Sequence, residues 1–247
     1  MSGHSKWATI HRAKEKTDQA RGKIFTKIGK EIAVAVKAGG PDPATNPRLA
    51  TVIAKAKSNN MPNDNIQRSI KKASGEGNSV NYESIVYEGY GPAGSAVICE
   101  ILTDNKNRAS SDVRHIFDRA GGALGGPNSV AFMFNKKAVV VAKSKNNLSE
   151  DDAMMLAMDI GADDLEYSPE EYTFYADANL VATLRDELLS RGYEVISAEQ
   201  EMIPSQLMDL PDDKYESFVK MLDNLEDNDD VQCVYHNVRL KEEPEEE

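Results

Sequence analysis

The sequence predicts an α/β (α+β) chain, and three features of its hydrophobic pattern carry that expectation. Apolar residues recur every four positions from Ile24 to Val36, and shorter helical patterns continue to Ile70. After Asn81 the period falls to two, which is that of strands. Across 137–205 the order becomes strand, helix, strand, strand, helix, strand, the ferredoxin-like βαββαβ unit. The expected architecture is an N-terminal three-helix domain with a basic arm (1–80), a middle α/β domain (81–136 with 206–240), an inserted ferredoxin-like domain (137–205) and an acidic tail (241–247).

The first 22 residues offer Ile10 and then only alanines as apolar groups, so they have little to bury. The helix that follows places Ile24, Ile28, Ile32 and Val36 on one face and stops at Gly39-Gly40. A second helix opens with Asn46 as N-cap and Pro47 in the first turn, and buries Leu49, Val52, Ile53 and Ala56. The third, in "MPNDNIQRSIKKAS", has an Asp64-to-Gln67 capping-box spacing and anchors at Ile66 and Ile70. "SGEGNS" leads out of the bundle.

"YESIVYEGY" and "SAVICEILT" read as a hairpin turned by "GYGPAG". A helix from about Ala109 to Ala120 follows, ended by Gly121-Gly122, and "SVAFMFN" reads as a further strand. After the βαββαβ unit come a helix near Pro211–Leu225 and the strand "VQCVYHNV". Neither has a partner of its own, so both are expected to return to the "YESIVYEGY" sheet.

Composition restricts function. No run approaches 18 apolar residues, and the cationic N-terminus has no apolar stretch behind it, so neither a membrane span nor a secretory signal is expected. Cys99 and Cys233 lie far apart without CxxC spacing and read as buried, reduced thiols of a cytoplasmic protein. The formal charge of −12 is unevenly placed. Residues 1–80 hold 15 Lys+Arg against 6 Asp+Glu, a net of +9. Residues 81–145 carry +2, and residues 146–247, with 6 against 29, carry −23. A cationic segment on an anionic chain points to a polyanionic partner.

Sites for small molecules find no support. Gly89–Gly94 satisfies GxGxxG, but a strand follows it, whereas a dinucleotide site needs a helix N-terminus there. His4, His11, His115 and His236 have no metal-ligand spacing, and "LEDNDDV" lacks the glycine and distal glutamate of a calcium loop. The pairs Asp151-Asp152, Asp163-Asp164 and Asp212-Asp213 read as caps and solvating groups. No catalytic motif is present; an enzyme would have to build its pocket around Asp104, Asn105, Asn107 and Arg108. No enzyme activity, cofactor or metal is expected.

The opening stretch "GHSKWATIHRAKEKTDQARGKIFTK" carries the functional expectation. Its cations suit phosphates, and its Trp7, His4 and His11 rings suit stacking on unpaired bases. Read as a solvated arm, it would need Trp7 to do no more than dock on the bundle. Lys23, Lys27, Lys30, Lys55, Lys57, Lys71 and Lys72 extend the charge over the helices. This reading requires one continuous cationic surface over the first eighty residues, insulated from the anionic remainder.

Several stretches resemble the YebC/PmpR family: "GHSKW", "RGKIFTK", "GGPDPATNPRL", "NNMPNDNI", "YEGYGPAG", "LTDNKNR", "DVRHIF", "GGALGGPNSVAFMF", "EMIPS" and "LEDNDDVQCVYHN". The family includes the mitochondrial translational activator of cytochrome oxidase I. The resemblance implies a three-domain α/β protein and a non-enzymatic regulator of gene expression. Two descriptions come with it: a DNA-binding transcriptional regulator, and a factor that contacts ribosomal RNA and assists difficult nascent chains. Matching positions carry over His4, Ser5, Lys6, Trp7, Arg21, Gly22, Lys23, Lys27, Asn46, Pro47 and Arg48. His11, Arg12, Lys14, Lys16 and Lys55 join them as cations and rings of the same surface; Glu15 departs from the basic, alanine-rich run that the family has there. The expected partners are rRNA or the ribosome, or DNA, with ribosomal proteins beside them and no membrane, and a monomer is favoured.

Overall fold

A computed structural model describes residues 18–75, 80–145 and 148–241 of the chain. Among the described residues, seven helices and eight strands lie in two compact units, one of residues up to 131 with 210–234, the other of 132–209 with 235–241.

Helices α1 (Asp18–Gly39), α2 (Pro47–Ser58) and α3 (Asn63–Ser74) bury the apolar stripes that the four-residue period marks. Ile28, Ile32, Val36, Leu49, Val52, Ala56, Ile66 and Ile70 form their common core. Asn46 fixes the α1–α2 corner. Its Oδ1 accepts from Leu49 N at 3.1 Å, while its Nδ2 donates to Ala35 O and Gly40 O, each at 2.8 Å. The chain leaves α1 through Gly40 at φ +87°, a conformation open to glycine at little cost. The capping box expected at α3 is not made. The helix starts at Asn63 behind Pro62, which puts Asp64 inside the first turn, where its charge favours the helix N-terminus without capping it.

Strands β1 (Glu83–Tyr90) and β2 (Ala96–Thr103) form the expected hairpin, paired from Glu83↔Thr103 to Tyr90↔Ala96 around a short turn at Pro92–Gly94. A strand, not a helix, follows those glycines, so the dinucleotide geometry is absent. Helix α4 (Lys106–Arg119) starts behind Asn105, whose Oδ1 caps Arg108 N at 3.0 Å. The two-residue strand β3 (Ala123–Leu124) pairs with Gly89 and Tyr90, a pairing too short to leave a periodic signal. Gly89 is required there, because a Cβ would stand 2.7 Å from both Ala123 O and the Phe117 ring.

The polypeptide next forms β4 (Phe134–Lys143), α5 (Glu150–Asp159), β5 (Asp164–Tyr167), β6 (Glu171–Asp177), α6 (Val181–Ser190) and β7 (Val195–Pro204). Their sheet order, β5-β6-β4-β7, is that of the ferredoxin-like unit. The sequence pattern suggested separate strands in "SVAFMFN" and "AVVVAKS"; the structure has a turn at Ala131–Met133 and then one strand. Lys136 and Lys137 interrupt the apolar run but not the strand, and Lys137 pairs with Asp163 at 2.8 Å. Helix α7 (Asp212–Asp227) and strand β8 (Val231–His236) come last, and β8 completes the first sheet in the order β3-β1-β2-β8. Cys99 and Cys233 are both buried, and burial pushes the Cys99 thiol well up.

Candidate nucleic-acid interface

Of the residues expected to meet nucleic acid, His4, Ser5, Lys6, Trp7, His11, Arg12, Lys14 and Lys16 lie outside the described residues. Arg21, Lys23, Lys27, Arg48 and Lys55 can be placed.

Lys23, Lys27 and Lys30 project at helical spacing from one side of α1 and meet the turn between α7 and β8. Lys23 Nζ pairs with Asp227 Oδ1 at 2.9 Å. Lys27 Nζ donates to Glu226 O at 2.6 Å, and burial holds its ammonium below the ordinary lysine range despite nearby acidic groups. Lys30 Nζ reaches Asp230 Oδ1 at 2.6 Å and Asp229 O at 2.8 Å. The segment set aside as a failed calcium loop is therefore an acidic clasp on the basic helix. One insulated cationic surface over the whole bundle does not exist, because this row of α1 turns towards the protein's own oxygens. Lys55 is also engaged within the bundle, with Glu31 at 2.6 and 2.9 Å.

Asp230 is the centre of the clasp. Its Oδ2 accepts from Thr103 Oγ1 at 3.0 Å and from Arg108 Nη2 at 2.7 Å, and Arg108 also bonds Asp104 at 2.8 Å. Burial alone would raise this carboxyl, but Lys30 and Arg108 outweigh it and hold it below the usual aspartate value. Asp104, Asn105 and Arg108, the polar set on which a catalytic pocket would have depended, thus serve as ion-pair partners and a helix cap.

The outward cations are elsewhere. Arg21 and Arg48 are exposed, as are Lys57, Arg68, Lys71 and Lys72. Arg68, Lys71 and Lys72 stand at i, i+3 and i+4 on α3, so they share one face and could follow a phosphate backbone. Charge counting named the two lysines; the spacing in "QRSIKK" adds Arg68. The tertiary pairing of α1 had no local signal.

The loop 125–131 is held by a separate contact. Glu88 is buried, and its carboxylate accepts from the backbone N–H groups of Asn128, Val130 and Ala131 at 2.8–2.9 Å. Burial opposes ionisation here, yet the three amides hold the carboxyl below its ordinary value. Among the described residues no group of three or more His, Cys, Asp or Glu is placed to hold a metal, and no helix is long and apolar enough to cross a membrane.

Comparison with known proteins agrees with this architecture. Residues 5–76 match the model of the TACO1/YebC protein N-terminal domain, and residues 82–238 that of the TACO1/YebC second and third domain. The chain is 54% identical over 242 residues to a "Probable transcriptional regulatory protein" of Clostridium botulinum, covering 98% of each. It is 53% identical over 238 residues to a protein of the same description from Acetivibrio thermocellus, covering 96% of this chain and 98% of that one. The crystal structure of a conserved hypothetical protein, Aq1575 from Aquifex aeolicus, superposes with a TM-score of 0.82 at 36% identity, covering 94% of this chain and 96% of that one.

Proposed function

Because the chain belongs to the TACO1/YebC family, we propose that it is a non-enzymatic regulator of gene expression that binds nucleic acid through its N-terminal eighty residues. The observation that carries this reading is the charge partition, +9 in residues 1–80 against −23 beyond residue 145. Because Lys23, Lys27, Lys30 and Lys55 are turned to the protein's own oxygens, the reading no longer uses one continuous surface. It rests on the opening stretch together with the exposed Arg48, Arg68 and Lys71. The relatives' description as transcriptional regulatory proteins supports the regulatory part of it.

The target we favour is ribosomal RNA, with the protein acting as a translation factor for difficult nascent chains. Trp7, His4 and His11 interleave with cations in a stretch that has little to bury, a composition suited to unpaired bases and weakly suited to a rigid major-groove helix. In this reading the arm enters the RNA, and Arg48, Arg68 and Lys71 hold phosphates. Lys23 and Lys27 contribute less, since their ammonium groups already have protein acceptors. The acidic half faces away from the RNA or meets a basic ribosomal protein, and the protein acts in the cytoplasm.

The test is co-sedimentation with ribosomes. Lys6→Glu combined with Arg12→Glu abolishes it while the circular dichroism spectrum is kept; undiminished co-sedimentation overturns the assignment. Duplex DNA is the second reading, favoured by the relatives' names. Sequence preference that survives raised salt would select it, whereas binding to any duplex that salt removes is nonspecific.

A further inference from the structure

Helix α5, Glu150–Asp159, is apolar on two sides. Ala153, Leu156 and Ala157, continued by Ile160, face the ferredoxin-like sheet and are buried. Met154, Met155 and Met158 point the other way and are 40%, 65% and 72% exposed. Their i, i+1 and i+4 spacing makes them one contiguous patch, whereas scattered apolar groups on a surface are ordinary. A helix with apolar side chains on both sides is normally covered on both. The same helix carries Glu150, Asp151, Asp152 and Asp159 and has no lysine or arginine.

We infer that this outer face of α5 docks a cationic amphipathic helix of a partner protein. The charge selects that occupant. A second copy of this chain would bring four carboxylates against four, and a nucleic acid or an anionic lipid surface would be repelled in the same way. A helix with leucine-like residues at i, i+3 and i+4 and lysines on its flanks satisfies both the methionines and the rim. Methionine side chains are flexible and polarisable, which lets them conform to such a helix. The inference is independent of the nucleic-acid reading, because it involves neither the arm nor the bundle.

The experiment uses the full-length protein and two fluorescein-labelled peptides with the same leucine pattern, one with lysines on the polar face and one with glutamates. Anisotropy titration gives saturable binding of the lysine peptide and none of the glutamate peptide. Met155→Gln with Met158→Gln weakens binding about tenfold or more, and Asp151→Lys with Asp159→Lys does so as well. Hydrogen exchange on the unaltered protein shows protection over residues 150–160 when the lysine peptide is present. Absence of binding, equal binding of both peptides, binding indifferent to the methionine changes, or protection confined to another segment would each overturn the inference. So would a dimer of the unaltered protein that the methionine changes dissociate.

Discussion

The ammonium of Lys30 and the carboxylate of Asp230 lie 2.6 Å apart with their side chains 13% and 6% exposed, a sheltered ion pair between α1 and the turn that follows α7. The two ends of the link are unequal. Without Lys30, Asp230 keeps Arg108 and Thr103; without Asp230, the sheltered Lys30 ammonium loses its counter-charge. Asp230→Ala is expected to cost roughly 3–5 kcal/mol, and Lys30→Met distinctly less. Urea unfolding midpoints check the order, and an equal or larger loss for Lys30→Met would refute it.

Acid should weaken the protein through Asp230 and Glu88. Both carboxyls are held below their ordinary values of 3.8 and 4.5, so the unfolded chain binds protons more readily in that window. The stability they provide is complete above those values and is lost as pH falls through the lower folded ones. Glu88→Gln is therefore expected to cost about 1–3 kcal/mol near neutrality, and the gap from the unaltered protein to close as pH falls below the ordinary glutamate value. Melting temperatures across that range are the measurement; a gap independent of pH would contradict the account.

The α1–α2 corner offers a coupled pair. Asn46→Ala removes a cap and leaves two carbonyls without their donor, a loss of about 2 kcal/mol. A Cβ at Gly39 would stand 2.8 Å from Asn46 Cγ, so Gly39→Ala is destabilising as well. Truncating Asn46 opens that space, and Gly39→Ala should then cost nearly nothing in the Asn46→Ala background. Strict additivity in the double variant would show that the two side chains do not meet.

Outward and inward cations should behave differently towards a polyanion. Arg68→Glu with Lys71→Glu is expected to weaken RNA binding and to lower the log–log salt slope by about 0.7 for each phosphate no longer neutralised. Lys27→Gln should leave that slope unchanged, because its ammonium lies against Glu226 O. Filter binding at several salt concentrations distinguishes them. A larger effect at Lys27 would mean that the acidic clasp opens when RNA arrives.

Much of the fold is legible from local pattern. Ile28, Ile32, Leu49 and Ile66 announce their burial by spacing, Asn46 announces its cap, and the strand–helix order from 137 onward announces the ferredoxin-like unit. What remained hidden depends on residues distant in sequence. Nothing near Lys30 indicates that Asp230, two hundred positions later, will face it. Nothing in "LEDNDD" distinguishes a solvated turn from a clasp. The short strand β3 is legible only through the room that Gly89 leaves for it. Arg68 was open to a reading by helical spacing, which counting charge alone does not provide.

The pairing of Phe134 with Pro204 places the first and last residues of the ferredoxin-like unit side by side. The unit is therefore a graft whose two stems meet, and it can close on itself as soon as it is made. The sheet that hosts it must wait. β2 is synthesised early, but Leu102 N finds its acceptor on Asp230, so that edge stays bare until the last strand emerges. Assembly during synthesis is thus expected to run from the guest to the host, and a chain cut short before Asp230 to carry a finished insert on an unfinished sheet.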